Sequence, residues 1–237
     1  MMFNIDKNLN RDILQKLLKL EIKESLYYTY VPISDKVWEH ITESIYVMSD
    51  MLNIDADTRF QITKIFENAY RPNDNPVDIA LASINLAIKL CDLNEKTVAY
   101  TKLYAYAHSI KFHIWKYYLQ NVNITTLIKT EYYIVKRLNY YLIYITPITY
   151  IGIYIIILSD IYKHHIIELI WNKIILLLLD INQIKELKRY LPSEICLASI
   201  YYCLYLENIS DIDSIMLHIC TYNKNIINIV KIIEKYL

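Results

Sequence analysis

The chain has one glycine, Gly152, and five prolines among 237 residues. A single glycine cannot build the Gly-rich fingerprint of dinucleotide-binding enzymes or the phosphate-cradling loop of P-loop enzymes. Those enzyme classes are therefore excluded. The tight turns of a sheet protein also depend on glycine and proline, whereas long helices do not. The composition thus predicts an all-α protein.

Other chemistry is scarce as well. The formal net charge is zero, which argues against broad electrostatic binding to nucleic acid. The four cysteines show no Cys-x-x-Cys spacing and lie in apolar contexts, which predicts reduced thiols in an intracellular protein. The nearest approach to a metal site is His164, His165 and Glu168, which lacks further ligands. We expect no metal, no cofactor and no catalytic centre.

The most informative stretch covers residues 76–92. Pro76 suits the first turn of a helix, because that turn needs neither its N–H nor a free φ. From Ile79 to Ile88 no side chain carries a charge, so we expect a helix that is buried on all sides. The next residue, Lys89, lies near the C-terminal end, where the helix dipole favours a cation.

The same helix occurs a second time in the sequence. Residues 78–84, Asp-Ile-Ala-Leu-Ala-Ser-Ile, align with residues 194–200, Glu-Ile-Cys-Leu-Ala-Ser-Ile. Pro76 and Pro192 precede the two stretches at the same offset. A proline, an acid and a small-residue pattern in one register indicate tandem duplication of a helical unit.

Apolar periodicity and capping signals predict the remaining helices. They cover residues 6–26, 35–52, 55–69, 78–91, one or two helices within 95–119, 127–142, 148–160, 166–180, 193–206, 211–220 and 223–236. We therefore expect three parts: an N-terminal helix (1–30), a first five-helix bundle (31–145) and a second one (146–237). The N-terminal helix could pack on the first bundle or bind a partner, and both possibilities stay open.

Residues 140–159 allow a different interpretation. They contain no charge and have the length of a bilayer span. Pro147 and Gly152 interrupt the run, Thr146 and several tyrosines add polar groups, and Pro147 falls at the boundary between the repeats. Proline and glycine do occur in membrane helices. A soluble protein is the favoured interpretation, and a membrane protein is the alternative.

The order of these motifs resembles the cyclin family. The first cyclin box carries a Leu-Ala-Ser-Lys type motif on its third helix, and this chain has Leu86-Ala-Ile-Lys89-Leu90. The fifth helix carries a Met-Glu motif followed by Leu-x-Phe-x-Leu. The corresponding stretch here runs from Thr130-Glu131 to Leu138-Asn-Tyr140-Tyr-Leu142, with Thr146-Pro147 after it. The resemblance covers about residues 10–237 and implies an N-terminal helix with two tandem five-helix bundles.

The resemblance also implies a function. In the family a lysine and a glutamate form the polar pair on the kinase-facing surface, and Lys89 and Glu131 match them. The apolar positions that receive the kinase's regulatory helix correspond to Leu90, Val135, Tyr140 and Leu142. The implied protein is a non-catalytic subunit, without a small-molecule substrate, that forms a heterodimer with a cyclin-dependent kinase and activates it in the nucleus or cytoplasm. We expect both charges at the surface of the first bundle.

Two points refine this hypothesis. The separation between Lys89 and Glu131 is longer than in cell-cycle cyclins and resembles the C and H types, which favours a transcription-type or atypical cyclin.

The core of transcription factor IIB resembles the same fold and binds DNA, so a protein of that kind is the second hypothesis. The zero net charge argues against it.

Overall fold

The computed structural model describes residues 7–25, 34–91, 99–159, 162, 164–209 and 224–237. These residues form helices joined by loops, with no strand among them, which confirms the all-α class. The α-helices are α1 (Lys7–Ser25), α2 (Asp35–Met51), α3 (Ala56–Ala69), α4 (Pro76–Cys91), α5 (Tyr100–Ser109), α6 (His113–Leu119), α7 (Ile124–Arg137), α8 (Pro147–Leu158), α9 (His164–Ile181), α10 (Pro192–Leu206) and α11 (Lys224–Tyr236). A 3-10 helix, Lys185–Arg189, precedes α10. The helix expected at 211–220 lies outside the described residues.

Short polar side chains cap the start of three helices, α2, α3 and α7. The Ser34 hydroxyl accepts a hydrogen bond from the backbone N–H of Val37, and the Asp55 carboxylate accepts one from Thr58 at 2.9 Å. The Asn123 side chain caps α7 in the same way. Each cap satisfies a backbone donor that has no partner inside its helix.

An asparagine lies two residues beyond the last residue of three helices, α2, α7 and α10. Asn53, Asn139 and Asn208 have φ angles of 52°, 49° and 53°, in the left-handed region where asparagine is tolerated better than most side chains. After α7, the N–H of Tyr140 bonds the carbonyl of Val135 at 2.9 Å, and that of Asn139 bonds Lys136. This is the Schellman pattern, in which glycine is the commonest left-handed residue. Asparagine therefore performs here the role that glycine performs in most proteins.

The helix α4 is buried as the sequence predicts. Every residue from Pro76 to Ile88 is buried except Asp78, which is half-buried. Ala80, Ala82 and Ala87 have almost no exposed surface, and their small side chains allow close approach of the neighbouring helices. The main neighbours of α4 are α3 and α7. This packing brings the end of α4, where Lys89 lies, against α7.

The prediction of a helix over 127–142 is wrong at both ends, because α7 begins at Ile124 and ends at Arg137. Its C-terminal end is anchored by the Arg137 guanidinium, which bonds the Asp74 carboxylate and the Ala69 carbonyl. Both Asn139 and Tyr140 then adopt positive φ. Two consecutive left-handed residues cannot continue a right-handed helix, so Leu142 also lies outside α7.

The described residues divide into two compact units. The first bundle, within Thr29–Tyr144, contains α2–α7, and α5 and α6 lie where one or two helices were expected. The second bundle, within Met1–Tyr28 and Ile145–Leu237, contains α1 and α8–α11. The repeated helices α4 and α10 therefore belong to different units. The N-terminal helix is part of the second bundle, a possibility that the sequence interpretation did not include.

A buried carboxylate joins α1 to α10 inside the second bundle. Glu21 accepts hydrogen bonds from the Ser193 backbone N–H at 2.7 Å and from the Ser193 hydroxyl at 2.6 Å. These donors lie in the first turn of α10, where the helix dipole favours negative charge. Burial raises the pKa of Glu21, although the bonds from Ser193 act in the opposite direction.

The stretch considered as a membrane span, residues 140–159, is divided in the structure. It consists of a loop followed by α8, which begins at Pro147. None of the helices in the described part of the chain combines the length and the hydropathy that crossing a bilayer requires.

Candidate functional site

The two charged residues singled out by the sequence form a direct ion pair. The ammonium nitrogen of Lys89 lies 2.7 Å from Oε2 of Glu131. Lys89 occupies the last turn of α4, and Glu131 lies in the middle of α7. The contact arises because α4 and α7 pack against each other in the first bundle. Residues that are far apart in the sequence thus form one local site.

The expectation that both charges lie at the surface is wrong for Glu131. Only 11% of its side chain is exposed, compared with 37% for Lys89. Glu131 is on the side of α7 that contacts α4 and α5, so its carboxylate is held between helices. Lys89 is the member of the pair that solvent reaches.

Two further residues complete the site, and both escaped the sequence analysis. The Tyr100 hydroxyl donates to Oε2 of Glu131 at 2.9 Å and accepts from the Lys89 ammonium at 3.0 Å. The Asn85 amide donates to Oε1 of Glu131 at 2.5 Å. Asn85 could have been suspected, because an amide within a fully apolar run must find a buried partner. Tyr100 carried no signal, since it is one of 24 tyrosines.

The electrostatics of the site favour a charged lysine. Burial alone lowers the pKa of Lys89, but its hydrogen bonds to Glu131 and Tyr100 outweigh burial and raise the pKa above its usual value. The ammonium also lies 5.0 Å from the centre of the Tyr100 ring, a distance at which a cation is attracted to the ring face. Lys89 therefore carries its charge at neutral pH.

The four predicted apolar positions differ in exposure. Leu90 is exposed, Tyr140 has 72% of its surface exposed, and Val135 and Leu142 are half-buried. Leu90 follows Lys89 directly on α4, whereas Tyr140 and Leu142 lie in the segment after α7. All four are accessible to some degree, and their contact with a kinase stays a prediction.

An exposed apolar stripe on α7 was missed by the sequence analysis. Ile128 and Tyr132 are both exposed, and with the half-buried Val135 they recur at the three- and four-residue spacing of one helix face. The spacing of these apolar residues in the sequence could have revealed the stripe. Exposed apolar surface that lies in one continuous stretch is typical of an interaction site.

Metal-ligating side chains do not cluster in the described part of the chain. Among the described residues, no group of three or more His, Cys, Asp or Glu side chains could hold a metal ion. The side chains of His164 and His165 lie outside the described residues. The possible ligand cluster of His164, His165 and Glu168 is therefore outside that statement.

Solved structures similar to this chain identify its fold. A viral cyclin from Herpesvirus saimiri matches with a TM-score of 0.71 and 11% sequence identity, over 93% of this chain and 96% of the other. The chain has the cyclin fold. A chain in the CAK complex from Chaetomium thermophilum bound to ATP-γ-S also matches, with a TM-score of 0.56 and 10% identity, over 98% of this chain and 74% of the other. No protein-family model and no curated protein matches the sequence.

The cyclin fold confirms the all-α fold class that the resemblance implied. At identities of 10–11% the likeness concerns the fold alone. The roles of Lys89, Glu131 and the apolar residues must therefore be argued from their own geometry.

Proposed function

We propose that this chain is a cyclin-type regulatory subunit that binds and activates a cyclin-dependent kinase. One observation carries the proposal: a cyclin fold contains the Lys89–Glu131 pair where the cyclin motifs lead us to expect it, beside exposed apolar side chains. An isolated surface ion pair would contribute little. A partly buried pair close to exposed apolar side chains is better suited to recognition.

The physical basis is that of a helix bound in a groove. Apolar side chains supply the buried area, and the polar group fixes the register of the bound helix through a charge-assisted hydrogen bond. Leu90 and the stripe on α7 supply exposed apolar atoms. The ammonium supplies the charge.

Activation in this proposal requires no catalysis by the chain itself. A subunit that binds the active conformation of a kinase more tightly than the inactive one shifts the population toward the active state. The likeness to a chain of an ATP-γ-S-bound complex supports a role beside a nucleotide-binding partner. The long Lys89–Glu131 separation supports a transcription-type or atypical cyclin, acting in the nucleus or cytoplasm.

Affinity purification from the native cells tests the proposal. We expect the tagged chain to recover a protein kinase, and the Lys89→Ala variant to recover much less of it. Tyr205→Ala is the matched control, because Tyr205 takes the place of Lys89 in the repeated helix α10 and is also exposed.

Two results would contradict the proposal. The first is recovery of no protein kinase under mild conditions. The second is tight binding of the purified chain to duplex DNA with a steep salt dependence, which would favour a protein similar to transcription factor IIB.

A further inference from the structure

The Glu131 carboxylate has little capacity left for a partner. An ionised carboxylate offers about four acceptor sites. Three donors already occupy Glu131: the Asn85 amide on Oε1, and the Lys89 ammonium and Tyr100 hydroxyl on Oε2. Its side chain is also only 11% exposed. A kinase approaching this surface therefore finds Glu131 both covered and largely saturated.

Lys89, in contrast to Glu131, still has hydrogen-bonding capacity for a partner. An ammonium carries three N–H donors and no acceptor. Two of the donors are directed to Glu131 and Tyr100, and 37% of the side chain is exposed. Among the described residues no other group bonds the ammonium, so one donor is left for a group outside the chain.

We infer that Lys89 alone makes the polar contact with the kinase, and that Glu131, Tyr100 and Asn85 are positioning residues that hold its ammonium in place. The inference rests on the proposed function and deepens it. It also defines the chemistry of the partner: the group facing this point must be an oxygen acceptor, a carbonyl or a carboxylate, because the remaining group on this chain is a donor.

Tyr100 is the positioning residue that closes the arrangement. Its hydroxyl accepts from Lys89 and donates to Glu131, while Lys89 also donates to Glu131. The three polar groups thus form a closed triangle, and the ring lies 5.0 Å from the ammonium. A lysine side chain loses considerable rotamer freedom when it is fixed. A triangle that fixes it before binding lowers that cost at the moment of association.

The first experiment uses the purified chain without a kinase. NMR of lysine labelled with ¹⁵N at the ammonium follows the titration of Lys89. We expect Tyr100→Phe to lower the pKa of Lys89, because a hydrogen bond that raises it is lost. Tyr106→Phe is the matched control, since Lys102 lies 5.6 Å from the Tyr106 ring on the same helix. An unchanged Lys89 pKa in Tyr100→Phe would overturn the positioning role.

The second experiment measures the Kd for the kinase recovered by purification. We expect Lys89→Ala to weaken binding by about thirtyfold or more. In the Lys89→Ala background, adding Glu131→Gln or Tyr100→Phe should change the Kd by less than about twofold, because residues that act only through Lys89 lose their effect with it.

A further loss of about fivefold or more in both double variants would show direct contacts from the positioning residues and overturn the inference. A further loss with Glu131→Gln alone would assign a kinase contact to Glu131, which also overturns it. If the parent chain binds no kinase, the proposed function fails instead, and the NMR experiment still decides whether Tyr100 positions Lys89.

Discussion

Replacing Glu131 with alanine should destabilise the first bundle much more than replacing Lys89, although the two residues form one ion pair. Glu131 is buried and accepts hydrogen bonds from Asn85, Tyr100 and Lys89. Without the carboxylate, the fully buried Asn85 amide keeps no acceptor. Lys89 can turn toward water, because over a third of its side chain is already exposed.

The magnitudes follow from these contacts. A buried donor left without a partner costs about 1–3 kcal/mol, and the lost bond to Tyr100 adds about 1 kcal/mol. The pair with the partly exposed Lys89 contributes roughly 0–1 kcal/mol. Glu131→Ala should therefore cost about 2–5 kcal/mol. In Lys89→Ala the carboxylate keeps two donors, so we expect a loss of about 1 kcal/mol.

Urea unfolding followed by circular dichroism measures both free energies, and a melting curve gives a second estimate at about 2–4 °C per kcal/mol for a chain of this size. The control is Glu186→Ala, which removes an exposed ion pair with Lys235 and should leave the free energy of unfolding nearly unchanged. If Lys89→Ala proves as destabilising as Glu131→Ala, the hydrogen bonds of Glu131 do not contribute the stability that we assign to them.

Three other predictions concern stability. Asn139→Ala should lower the free energy of unfolding in urea by about 1–2 kcal/mol, because alanine is strained at positive φ. Asn139→Gly should be nearly neutral. Equal losses in the two variants would contradict the role of Asn139 as a helix cap. Ala82→Leu and Ala198→Leu should each cost about 1–3 kcal/mol by overpacking, and Tm values equal to the parent's would refute close packing there. The folded pKa of Glu21 is raised above its ordinary 4.5, so its contribution is complete below pH 4.5 and is lost as pH rises through the folded pKa. The stability of the parent relative to Glu21→Gln should therefore fall as the pH rises above 4.5, and a constant difference would count against a raised pKa.

The fold was predictable where local signals and global packing agree. α4 and α10 begin at Pro76 and Pro192, and the long apolar runs that follow are buried as expected. The predicted end of α7 is wrong, because helical periodicity continues to Leu142 but Asn139 takes a left-handed conformation. An asparagine within a polar and aromatic stretch does not reveal which φ it adopts, because the αL cap depends on the chain that follows.

The site was predictable only in part. The cyclin-like motifs identified Lys89 and Glu131, and the structure brings them together. Their unequal burial could not be predicted, because it depends on how α5 approaches α4 and α7. Tyr100 enters the site through that approach alone. A local pattern therefore indicated which residues to examine, while the roles within the network were set by tertiary packing.

The asparagine caps at Asn53, Asn139 and Asn208 have a consequence at the level of the gene. Glycine codons begin with two guanines, whereas asparagine is encoded by AAT and AAC. Asparagine in the left-handed region costs only slightly more than glycine. A coding sequence can therefore drift toward adenine and thymine and lose nearly all its glycine codons while its helices still end where the fold requires. In chains with almost no glycine, asparagine residues therefore mark the positions at which helix ends should be sought.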